Sequence, residues 1–193
     1  MSWIISLTAL RHLWCLLRPT FAPVYIVNQR LSKSASNQII DQVKNWRTKL
    51  QERSFNERAT TLATLLSLHE MDQVRVQGIV SKAFGVMTAI SISVAGLIAL
   101  VVSNVIGYYA AIPGFYLLLA AASIFFIIEP SPRYTLDSDS LIPIDLAGAK
   151  LAVYLKLNEA DGFIKNNFTV ASLYDTVRAI AAAIVVVVIS TLT

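Results

Sequence analysis

The sequence predicts an all-α integral membrane protein with a helical stalk, a transmembrane hairpin, a further helix and a third, C-terminal span. Three observations carry this. Ala83 to Ile128 runs for 46 residues without a Lys, Arg, Asp, Glu or His. The 193-residue chain is only 15% charged, with a mean hydropathy of +0.61, where an ordinary soluble domain is about 25% charged. The tail from Ala179 to Thr193 turns apolar again, with Ile184-Val185-Val186-Val187-Val188-Ile189 at its heart.

The uncharged run organises the chain. As one helix it would reach about 69 Å, against a hydrocarbon layer of about 30 Å. It is the right length for two spans, 83–104 and 109–128, broken at Ser103-Asn104 and again at Pro113-Gly114. Arg75 and Lys82 flank its start, and the turn at 105–112 has no charge. The positive-inside rule then puts the N-terminus in the cytoplasm and the C-terminus outside. Lys82 anchors the inner edge, and Tyr108 and Tyr109, with Tyr116, suit the outer one. Inside the first span Gly85, Ala89 and Ser93 recur every fourth residue, with Gly96 close to the same face. Small residues so spaced let two helices approach closely. The partner is the second span, the third, or another copy, and packing within the chain is the plainer expectation.

Residues 1–19 make a poor signal peptide, because Arg11 and His12 cut the apolar core and no cleavage site follows. On a helix, Trp3, Leu7, Leu10, Trp14 and Leu17 share one face, opposite Thr8, Arg11, Cys15 and Arg18. That pattern reads as an amphipathic interfacial helix anchored by Trp3, Arg11 and Trp14; a soluble helix packing its stripe internally is the alternative. Pro19, Pro23 and the polar Ser32–Ser36 predict an irregular connection over 20–36. A helical stalk follows over 37–82. Its first part repeats Ile39, Val43, Trp46 and Leu50 at a spacing of three to four. This stripe is a candidate docking surface for a soluble partner. Ser54-Phe55-Asn56 predicts a break, after which the second stalk helix can run straight into the first span.

Beyond the hairpin, 129–148 reads as a polar linker and 149–172 as an amphipathic helix, weakened at Gly162. Asp137-Ser138-Asp139 lacks the glycine and the twelfth-position Glu of a calcium loop. Fifteen apolar residues from Ala179 cover only about 22 Å, short of a full span, and starting at Leu173 brings the helix to about 32 Å. The third span is therefore expected at 173–192. Asp175 and Arg178 then fall near the inner interface, where they can pair at i, i+3 and snorkel.

No chemistry-bearing constellation stands out. His12 and His69 occupy different elements, neither has a second ligand at metal spacing, and Cys15 is alone. There is no phosphate loop and no nucleophile elbow. Catalytic residues, metal and cofactors are thus expected to be absent, and neither a self-sufficient enzyme nor a secondary transporter is expected. Residues 1–82 hold eleven Lys/Arg against five Asp/Glu. Spread along a stalk without stacking aromatics, they fit the positive-inside bias and not nucleic-acid binding.

The stretch Glu70 to Gly85, EMDQVRVQGIVSKAFG, takes a charged helix through Ser-Lys-Ala into a span. It resembles small bacterial membrane proteins in which such a helix leads into a two-span hairpin, among them the Pycsar and SLATT-type transmembrane effectors of anti-phage defence. A later helix with Asn158 and Lys165 leading to a last apolar segment extends the resemblance over about 70–192. It implies oligomerisation in the lipid bilayer and membrane disruption on an infection cue. The chain has no separate nucleotide-binding domain, so a partner would sense the signal. The alternative is a membrane anchor or scaffold docking a soluble protein through its cytoplasmic helices.

Overall fold

The chain folds into helices α1 (Phe21–Ser36), α2 (Ile39–Gln51), α3 (Phe55–Val102), a short 3-10 turn (Gly107–Ala110), α4 (Ala111–Ile128) and α5 (Ile144–Leu192). This is a computed structural model describing residues 18–36, 39–128 and 143–192, with the side chains of 31–40 outside that description. The expected interfacial helix with Trp3, Arg11 and Trp14 falls outside it, as do 129–142 of the linker. Among the described residues there is no strand, and α3, the turn with α4, and α5 each hold a segment long and apolar enough to cross a membrane.

Local chemistry explains the ends of the hairpin helices. Ser54 opens α3 with a capping box: its Oγ accepts from the Glu57 N–H, and its own N–H donates to the Glu57 carboxylate at 2.9 Å. That N–H and the Ser54 hydroxyl, which also donates to the carboxylate at 2.9 Å, hold the Glu57 carboxyl below its ordinary value. With no proline between Pro23 and Pro113, α3 then runs unbroken from stalk into span, about 72 Å in all. It stops in a Schellman motif. The Val105 N–H donates to the Leu100 carbonyl and the Asn104 N–H to that of Val101, with Asn104 at φ 57°. Asn tolerates that left-handed position, and the motif satisfies carbonyls that lipid could not. Pro113 is accommodated in the first turn of α4, where its missing N–H had no partner to lose.

Two elements differ from the sequence expectation. Residues 21–36 are helical and not irregular; Pro23 falls in the first turn of α1, where proline is tolerated. The helix expected at 149–172 and the span expected at 173–192 are halves of one 49-residue helix, whose start at Ile144 takes in the end of the expected linker. Gly162 does not break it. That glycine is buried where α3 crosses, and a Cβ there would stand 2.9 Å from the Arg75 guanidinium. Gly148 gives the same close approach to Leu50 of α2, at 3.0 Å.

Helix α5 is the hub, packing against α1, α2, α3 and α4. It runs parallel to α3 and antiparallel to α4, so three helices cross the apolar layer together. Where they meet, Ala83, Ala120, Ala171 and Ala179 are buried, with Ser123 and Ser172 among them. The inward face of α3 follows a seven-residue repeat, with Val76, Ala83 and Ile90 buried on one row, and Ile79 buried and Val86 half-buried on the next. A 3.5-residue period is what long helices need to stay in contact along a left-handed crossing.

Substitution at the hairpin turn tests this account. Asn104→Val should destabilise the protein by about 1–2 kcal/mol and Asn104→Gly should not, because only the β-branched side chain resists the left-handed backbone. Thermal unfolding of the two variants in detergent measures the difference.

Candidate functional site

The most polar buried arrangement lies between α1 and α5. Ser172 Oγ donates to the Ala120 carbonyl at 2.9 Å, which sets Ser172 level with the middle of α4. Asp175 and Arg178, one to two turns further along, therefore lie level with the half of the apolar α4 nearer the hairpin turn, and not with its other end, the inner edge where the sequence placed them. Asp175 is 0% exposed. The expected i, i+3 pair forms, with Arg178 Nη1 2.7 Å from Asp175 Oδ1. What the sequence did not reveal is the third partner. The carboxylate also accepts the backbone N–H groups of Thr20 (3.0 Å) and Phe21 (3.2 Å), and Arg178 donates to the Thr20 hydroxyl.

The physical reason is plain. The first N–H groups of a helix have no partner inside it. In an apolar layer each one left bare costs several kcal/mol. Asp175 answers two of them and meets the positive end of the α1 dipole, while Arg178 balances its charge. Around this contact Phe21, Tyr25, Phe126 and Phe168 form a ring cluster, with Phe126 and Phe168 stacked at 5.2 Å. Further along, Asn167 Nδ2 donates to Asn28 Oδ1 at 3.1 Å, and Asn28 donates to the Ile164 carbonyl. The arrangement is a latch that holds α1 on the hairpin. Both carboxylate oxygens are already engaged, so it offers no open position to a ligand.

A second polar contact joins α2 to the start of α5. Arg47 Nε and Gln51 Nε2 both donate to Asp145 Oδ2, at 3.2 and 3.0 Å. Burial opposes ionisation of Asp145, but these two donors outweigh it and hold the carboxyl below its ordinary value of 3.8. The candidate docking stripe of α2 faces the same way. Leu50 is 2% exposed against Gly148, and Val43 and Trp46 are half-buried, so the stripe packs on the chain itself. The side chain of Ile39 is outside the described residues.

The small-residue seam also lies elsewhere than expected. Gly85, Ala89 and Gly96 are exposed, and a Cβ on Gly85 or Gly96 would meet nothing within 4 Å. Only Ser93 is half-buried. The close packing within the chain uses the alanines named above, which no spacing rule separated from the other alanines of the spans. Of the interface residues, Lys82 is exposed at the stalk end of the first span, and Tyr108 (101%) and Tyr109 project at the turn. Tyr116 is buried in the bundle, and Arg178 belongs to the latch. His69 Nε2 lies 3.1 Å from Gln73, without a second ligand. No group of three His, Cys, Asp or Glu among the described residues could hold a metal.

Two outcomes follow. Asp175→Ala leaves two N–H groups without their acceptor and the Arg178 charge without its carboxylate in the apolar layer, so it should cost about 3–5 kcal/mol, with Asp175→Asn costing less. Thermal unfolding in detergent measures this, and protease cleavage within 21–36 should rise in step as α1 detaches. The second concerns pH. A carboxyl held low in the folded state stabilises fully above its ordinary value and loses that contribution as pH falls through the folded one. Docking of α2 should thus be intact at neutral pH and weaken only below about 3.8. Trp46 emission, followed with Trp3 and Trp14 replaced by Phe, should shift red there, and Asp145→Asn should abolish that pH step. No family model, curated protein or solved structure matches this chain.

Proposed function

We propose that this is a non-enzymatic membrane protein that assembles side by side with further copies and disrupts the bilayer it sits in. The observation that carries the reading is the outward position of Gly85, Ala89 and Gly96. The three spans pack through other residues, which leaves the closest-approach face of α3 free for a neighbouring molecule. Hydroxyls share that exterior: Ser81, Thr88 and Ser91 are exposed, and those of Thr88 and Ser91 bond to carbonyls of their own helix. Copies meeting there would gather polar atoms within the apolar layer, which lowers the barrier to water and ions.

The likeness of Glu70–Gly85 to transmembrane effectors of anti-phage defence supplies the setting: a bacterial inner membrane, the N-terminus in the cytoplasm, and an infection cue as trigger. The scaffold alternative is the weaker one, because its docking stripe, including Leu50, packs against α5. Controlled expression in a bacterium, with a potential-sensitive dye and growth curves with and without phage, tests the proposal. Loss of membrane potential and growth arrest are expected. Unchanged potential and growth under every phage challenge would overturn it.

A further inference from the structure

Helix α3 carries a second seven-residue repeat on the face opposite its internal one. It includes Met71, Val74, Gly78, Ser81, Gly85 and Thr88, and the same steps of three and four continue to Thr60 in one direction and Val102 in the other. Every position of this repeat is exposed, and none is charged.

Neither water nor lipid accounts for the whole stripe. A helix face that meets only water carries charged and polar residues, yet Met71 is 58% exposed and Val74 68%. Lipid covers apolar residues only within its own layer. Met71 precedes Ala83, where the uncharged run begins, by twelve residues, about 18 Å along the axis and beyond the headgroups. A stripe that keeps one period across both media fits another helix of the same length crossing the same boundary. A second copy of α3 is such a helix.

Charge complementarity sets the register. Copies inserted in one membrane point the same way, so the two helices are parallel. In a parallel pair meeting on a seven-residue repeat, a residue on one flank of the stripe faces the residue five positions later on the opposite flank of the partner helix. Glu70 then faces Arg75 of the second copy, and by symmetry the pair occurs twice. Arg75 bonds to its own Asp72 at 2.7 Å and its guanidinium also lies against Gly162 of α5, so its half-exposed side chain must turn outward from that crossing to receive Glu70. The next flanking positions bring Gln77 to Lys82 and Phe84 to Ala89, with no like charges opposed.

We propose that α3 forms a parallel homodimer through this outer face, with Met71, Val74, Gly78, Ser81 and Gly85 along the contact and Glu70 paired with Arg75 across it. The proposal rests on the oligomerising reading above and names its surface. Single cysteines placed in turn from Met71 to Thr88, in the full chain with Cys15→Ser, are oxidised in native membranes and the cross-linked dimer is measured. Maxima are expected at Met71, Val74, Gly78, Ser81 and Gly85, and minima at Val76, Ile79 and Ala83. Glu70→Lys should lower the dimer population about tenfold and Glu70→Gln about threefold, by turning two attractive pairs repulsive or neutral. Native mass measurement in mild detergent separates the failures. Oligomers whose cross-links lack the seven-residue period would overturn this surface and leave the oligomerising reading standing. Monomers alone would overturn both.

Discussion

Two backbone N–H groups at the start of α1 lie level with the middle of a transmembrane hairpin, where no water can satisfy them. Asp175 of α5 accepts both, and Arg178 neutralises it. The seating of α1 on the hairpin depends on that contact. Without it α1 could not end where it does, and the ring cluster of Phe21, Tyr25, Phe126 and Phe168 would lose the helix that brings two of its members. A buried charge pair is seldom a source of stability in itself, since desolvation consumes most of the attraction. Here its value lies in position: once α1 is docked, its carboxylate is what answers those N–H atoms.

Helix α5 shows how one element can serve several partners over about 74 Å. Glycine and alanine mark each crossing. Gly148 admits Leu50, Gly162 admits Arg75, and the buried alanines admit the two hairpin helices. In an apolar layer burial from water drives nothing, so close contact and hydrogen bonds between helices must hold them together. The division of α3 into two faces follows from the same physics. Its inner repeat joins it to the chain's own helices, and its outer face, free of charge from Thr60 onward, stays exposed.

Legibility varied with the range of the interaction. The break after Ser103 was readable because Asn104 and the following residues carry local turn chemistry. The start of α3 at Ser54 was equally local, since Ser and Glu three residues apart form their own box. The pairing of Asp175 with Arg178 was readable from its spacing, but its depth was not. Depth is fixed by Ser172 meeting Ala120, 52 residues away. The spacing of Gly85, Ala89 and Gly96 was visible in the sequence, but that this face points away from the other helices depended on how α3 rotates about its own axis. That rotation is decided by Val76, Ala83 and Ile90 fitting against the other helices.

By itself, then, the sequence determined the medium and the elements: 46 uncharged residues can only be an apolar hairpin, and a β-branched tail without strand partners can cross lipid only as a helix. The tertiary structure alone decided which faces of those helices meet. It made 21–36 a helix capped from 155 residues away, turned the α2 stripe inward and turned the glycine face of α3 outward. The reason is physical. Hydrophobicity and turn chemistry act over a few neighbouring residues, whereas helix rotation and the pairing of buried polar groups depend on contacts between segments far apart in the chain.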